Sequence, residues 1–207
     1  MPRQIAPARS SRDSALDGVP VPSTAVTSAL LGSDHSTTSL SQALSDAWSD
    51  VYRAATPGAN LYEFNLAGWS FLFDFASESD APQWDRTLAG CGLSAPGARP
   101  RDTTYQRGYP SPNGRAKAPL DKGHLIPHQV GGDLGQNIFP QDRDLNRGWS
   151  EEGKRYRALE REIGRSSGTF FFCRLVYVDE TDFPGWVELG VLRGAVLHVE
   201  RFRNRFD

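Results

Sequence analysis

The chain has 207 residues, a formal net charge of −2, and 38% hydrophobic and 11% aromatic side chains. That length suits one ordinary domain with its own core. The composition excludes a disordered or helical membrane protein, since no stretch approaches the roughly 20 apolar residues that cross a bilayer.

Residues 1–38 are rich in Ala, Ser, Thr and Pro, with few large apolar groups to offset the entropy of ordering, so they predict a flexible arm. Its start is positively charged but has no apolar run behind it. No secretory signal peptide is therefore expected, and the protein is either cytoplasmic or exported by a non-classical route. Residues 39–55 place Leu40, Leu44, Trp48, Val51 and Ala55 at helical spacing behind Ser39 as N-cap, and Thr56-Pro57-Gly58 ends that helix. The expected division is an arm with an amphipathic helix over 1–55, then a folded domain over 56–207.

The aromatic run LYEFNLAGWSFLFDFA, residues 61–76, predicts one or two strands around Gly68. Residues 77–119 read as loop, with Pro110, Pro112 and the Asn113-Gly114 turn signal. Residues 120–141 hold a short apolar stretch, a plain hairpin turn at Gly131-Gly132, and a second short strand at Ile138-Phe139. Residues 146–163 predict a helix, with Ser150 ahead of Glu151 and Glu152 as a start signal and Gly164 as C-cap. Trp149, Tyr156, Leu159 and Ile163 share one face of it, which favours core packing over base stacking for Trp149 and Tyr156. TFFFCRLVYV, WVELGVLRG and AVLHVERFR close the chain as strands, with Arg193-Gly194 as a turn. The order is helix, strands, a β-turn-β-helix insert, then strands: an α+β domain.

The two cysteines, Cys91 and Cys173, form no CxxC and no disulfide framework, and read as small buried hydrophobes. Charge is unevenly spread. Residues 1–98 carry 5 basic and 10 acidic side chains, residues 99–165 carry 13 and 9, and residues 166–207 carry 5 and 6. Only the middle third is basic, and phosphate binding needs local positive potential rather than a basic whole.

That third contains DKGHLIPHQVGGDLGQNIFPQDRDLNRGWSEEGKRYRALE, residues 121–160. His124 follows a glycine near the end of a predicted strand, Asn137 opens the next strand, Asn146 begins the helix, and Glu160 lies further along it. Phosphodiester hydrolysis needs a base for the attacking water, a cation against the growing charge, and groups that hold the phosphate. Histidine titrates near neutrality and suits the base. A hard Mg²⁺ ion takes oxygen ligands while keeping several waters, so Asn146 and Glu160 suffice as its protein oxygens. Arg107, Arg115, Lys117, Lys122 and Arg147 are the candidate phosphate clamps. His128 stands four residues after His124, but Pro127 between them disfavours a helical zinc pair. His35 in the arm and His198 in a tail strand read as structural or solvated.

The segment Asp121-Lys122-Gly123-His124 resembles the Asp-Arg-Gly-His motif of the non-specific DNA/RNA endonucleases, whose core is the ββα-metal, or His-Me finger, fold. Asn137-Ile-Phe-Pro-Gln141 resembles their Asn-(Ile/Leu)-x-Pro-Gln segment. Asp144-Leu145-Asn146-Arg147-Gly148 resembles their Asp-Leu-Asn-x-Gly segment, and Gly114-Arg115 a Gly-Arg on the preceding strand. The likeness spans about residues 105–163. It implies His124 as general base, Asn146 as the single direct protein ligand of Mg²⁺ (with Mn²⁺ as substitute), Asn137 as a support of the site, and Glu160 as the orienter of a metal-bound water. It implies cleavage of DNA or RNA with little sequence preference, leaving a 5′-phosphate.

The chain departs from the pattern in two places. Lys122 replaces arginine and loses the bidentate fork. A short insertion after Gly148 leaves Glu151 and Glu152 as alternatives to Glu160. A catalytically inactive nucleic-acid-binding module of the same fold is the competing expectation. Likeness to bacterial toxin nuclease domains implies an antibacterial effector with a cognate immunity protein as partner, and no membrane partner.

Overall fold

The computed structural model describes residues 2–4, 37–76, 84–95, 110–112, 114–133, 135–194 and 196–206. Among them, seven strands form one antiparallel sheet in the order β1-β2-β3-β4-β7-β8-β9. The strands are β1 (Arg3–Gln4), β2 (Leu61–Leu66), β3 (Trp69–Asp74), β4 (Arg86–Leu93), β7 (Phe170–Tyr177), β8 (Pro184–Arg193) and β9 (Val196–Arg203). Strands β5 (Leu120–His124) and β6 (Ile138–Asp142) form a separate two-stranded antiparallel ribbon. Three helices complete the described chain: α1 (Thr37–Ala55), α2 (Arg143–Arg147) and α3 (Glu151–Arg165). None is long and apolar enough to cross a membrane. The protein is thus α+β.

Alternation along β7 builds two cores, because successive side chains of a strand point to opposite faces. Phe170 and Phe172 join Leu40, Leu44 and Trp48 of α1 on one face. Phe171, Cys173 and Leu175 join Phe139 of the ribbon and Tyr156, Leu159 and Ile163 of α3 on the other. Each fully buried side chain of this kind stabilises the fold by about 1.5–3 kcal/mol. Helix α1 therefore covers one face, and the ribbon with α2 and α3 covers the other. Cys91 and Cys173 are both buried free thiols, one in each core.

The structure departs from the sequence expectations in several places. Strand β4 lies at the sheet centre, within residues read as loop. The centre of its RTLAGCGL run is small, and neighbouring rings need the room at its glycines: a Cβ on Gly92 would lie 2.6 Å from the Trp69 ring. Helix α1 starts at Thr37 rather than behind Ser39. Arg3–Gln4, expected in the flexible arm, pairs with β2. Most of the remaining arm, with His35, and Arg107 and Asn113 further on, lie outside the described residues.

The helix expected over 146–163 is two helices. Gly148 adopts a left-handed φ of 72° and ends α2, and Ser150 caps α3 by accepting from Gly153 N at 2.9 Å. Asn146 therefore sits in the last turn of α2 rather than opening a helix; the N-cap is Asp142, which accepts from Asp144 N at 2.8 Å. Trp149 falls in the break, outside the helical repeat, and is 62% exposed instead of buried. Gly164 lies inside α3, and Ser166 is the C-cap. Gly131-Gly132 makes no tight hairpin turn. The ribbon strands are joined by residues 125–137, with 3-10 turns at His128–Val130 and Gly135–Asn137.

Candidate functional site

Strand β5 delivers Asp121, Lys122 and His124, and α2 follows β6 directly to deliver Arg143, Asn146 and Arg147. The ribbon register places Lys122 opposite Pro140 and His124 opposite Ile138. Directly opposed residues share a face, so Lys122 and His124 share theirs with Pro140 and Ile138. Both of the latter line a cleft of about 370 Å³, together with Phe73, Thr87, Arg115 and Tyr177. Lys122 and His124 are half-buried.

Gly123 between them is dictated by packing. A Cβ there would stand 2.4 Å from Gln141 Oε1 and 2.9 Å from Phe139 Cε1. The glycine lets β5 lie over these two buried side chains of β6.

Asp121 gathers the helix residues. Its carboxylate accepts from Arg147 Nε at 2.6 Å and Arg147 Nη2 at 3.0 Å, from Arg143 Nε at 3.1 Å, and from Asn146 Nδ2 at 3.3 Å. Residues 143, 146 and 147 lie on one face of a 3.6-residue helix, so one carboxylate reaches all three. Partial burial alone would raise the Asp121 carboxyl, but the hydrogen bonds from Arg147, Asn146 and Arg143 together hold it below its ordinary value. The amide nitrogen of Asn146 is spent on this bond. Its carbonyl oxygen is then the atom left for a hard cation.

Asn137 is almost fully buried and braces the loop behind His124. Its Oδ1 accepts from Ile126 N at 2.7 Å, while Nδ2 donates to Ile126 O at 2.9 Å and Asp133 O at 2.7 Å. Leu125 N donates to Asn137 O at 3.0 Å. Gly132 is pressed into the same knot, where a Cβ would collide with Ile126 O at 1.8 Å.

The other expected residues are dispersed. Glu160 is buried on α3 and accepts from Arg157 Nη1 at 2.6 Å; burial pushes its carboxyl up against the opposing pull of Arg157. Among the described residues no hydrogen bond joins its carboxylate to Asn146 or Asp121. Glu151 is exposed and pairs with Lys154, and Glu152 accepts from the backbone of Arg203 at 2.7 Å. Arg115 is bound bidentately by Asp182 at 2.8 and 2.9 Å, and both line the cleft. Lys117 is exposed, and Arg147 serves Asp121 rather than standing clear as a clamp. No group of three or more His, Cys, Asp or Glu side chains is assembled for a metal among the described residues.

Asp121 and Arg143 carry structural roles at this site that sequence reasoning did not assign. The i, i+4 spacing of Arg143 and Arg147, around an asparagine, was the available signal. Comparison with protein-family models and with curated proteins finds no match for this chain.

Proposed function

We propose that this protein is a metal-dependent nuclease of the ββα-metal type, hydrolysing phosphodiester bonds of DNA or RNA. One observation carries the reading: the Asp121 carboxylate fixes the Asn146 amide by its nitrogen, which presents an oxygen donor on a helix that follows an antiparallel ribbon bearing His124. A donor set of one neutral oxygen with an anionic neighbour fits a hard divalent ion that keeps most of its water.

In this reading His124 takes the proton of the attacking water, which neutral imidazole does well near pH 7. Lys122, two residues earlier on the same face, draws the phosphate toward His124 as a point charge. Asn146 would hold Mg²⁺ through its carbonyl oxygen, with the amide oriented by its bond to Asp121. Asn137 keeps the loop after His124 rigid. Mg²⁺, when bound, neutralises charge on the phosphoryl group and on the leaving oxygen.

The test is incubation of supercoiled plasmid and total RNA with the full chain, with Mg²⁺ or with chelator, beside His124→Ala. Degradation only with metal and only by the parent supports the proposal. If the parent leaves both substrates whole yet shifts them in a gel at low salt, the protein is a binding module instead.

A further inference from the structure

Trp149 is the most exposed large hydrophobic side chain described, at 62%. It is nevertheless held. Its backbone N donates to Asp144 O at 2.9 Å, the left-handed Gly148 precedes it, and the Ser150 cap follows. The Arg147 guanidinium lies 4.9 Å from the ring centroid, and that guanidinium is fixed by two bonds to Asp121. An aromatic ring anchored at its base and backed by a fixed cation costs little entropy to use as a contact. It stands three residues beyond Asn146, on the same Asp121-centred cluster.

We propose that Trp149 is a stacking platform for an unpaired nucleobase next to the phosphate being cleaved. Single-stranded nucleic acid is then the preferred substrate class. This rests on the nuclease reading for its placement, but the stacking is testable without cleavage. An aromatic face beside a cation is the arrangement that binds bases irrespective of sequence, because every base has a π-face. A base inside a duplex is already stacked on its neighbours and cannot reach the ring unless it leaves the helix.

The experiment measures binding of fluorescently labelled oligo(dT) and of a duplex of equal length by anisotropy, in chelator, for the parent, Trp149→Ala and Trp149→Phe. Stacking by alanine substitution is worth about 1–3 kcal/mol per base, so Trp149→Ala should weaken single-strand binding by about 5- to 150-fold. Duplex binding should change less than about twofold, and Trp149→Phe should recover most of the loss. Far-ultraviolet dichroism and a thermal melt check that each variant is folded. Equal single-strand affinity for parent and Trp149→Ala, including no binding by either, overturns the proposal and leaves Trp149 as a contact for a protein partner. Cleavage by the parent with unchanged binding in Trp149→Ala sinks the stacking alone. Trp149-dependent binding without cleavage sinks the nuclease reading alone.

Discussion

Asp121 and Asn146 meet at 3.3 Å across the junction of β5 and α2, and the amide donates to the carboxylate. The bond holds the nitrogen end of the amide against Asp121. If the protein is the proposed nuclease, Asp121→Ala frees the amide to turn and should lower cleavage by about 10- to 100-fold, the usual effect of losing an outer partner of a metal ligand. The loss should appear as a raised Mg²⁺ requirement in a metal titration of activity. A purely structural Asp121 would lower activity at all metal concentrations alike.

Asn137 makes three side-chain hydrogen bonds within the loop after His124. Asn137→Ala leaves the buried Ile126 N and Ile126 O without those partners, and each buried group left unpaired costs about 1–3 kcal/mol. A destabilisation of about 3 kcal/mol or more is expected in urea melts. A loss under about 1 kcal/mol would show that the brace is dispensable.

Gly123 and Gly132 should both resist substitution. Gly123→Ala drives a methyl into Gln141 and Phe139, and overpacking of this kind costs about 1–3 kcal/mol. Gly132→Ala meets backbone first, at Ile126 O, with Asn137 Nδ2 at 2.9 Å behind it. It should be the more damaging of the two in the same melts, because a carbonyl cannot swing aside as a glutamine can.

Three of the six tyrosines should titrate late. Burial pushes the Tyr52 phenol up to about 12, and burial raises Tyr156 and Tyr177 well above the ordinary value. A pKa raised by folding means that the native state holds protons which the unfolded chain has released. This stabilisation is whole below about pH 10 and is lost as pH rises through about 12 for Tyr52. Tyrosinate absorbance should therefore rise in a second step coincident with alkaline unfolding. A single reversible step near pH 10 for all six would contradict the burial.

Periodicity made the large apolar segments legible. The helix carrying Leu40, Leu44 and Trp48 and the three closing strands followed from helical spacing or alternation, and the strand region about Gly68, read as one or two strands, is the hairpin of β2 and β3. Strand β4 was not legible, because Ala89, Gly90, Cys91 and Gly92 carry no β-forming bulk; the two glycines lie against the rings of Phe71 and Trp69. Trp149 was misread because one residue in the left-handed conformation, Gly148, resets the helical phase, and spacing alone does not register such a break. At the candidate site, the motif residues and their order were plain from the sequence. The distribution of the arginines was not: whether a cation faces a phosphate or a carboxylate depends on tertiary neighbours, and Arg115 and Arg147 each face an aspartate.

The bare centre of β4 has a use beyond packing. Gly90 faces Ile126, whose Cδ1 would lie 3.2 Å from an added Cβ, with the Phe71 ring at the same distance. Ile126 is the residue that Asn137 grips on either side of its peptide. A side chain at position 90 would therefore press directly on Ile126, and through it on the loop that follows His124. Both obstructing groups are side chains with some give, so Gly90→Ala should lower the melting temperature only modestly, with every residue of the candidate site unchanged.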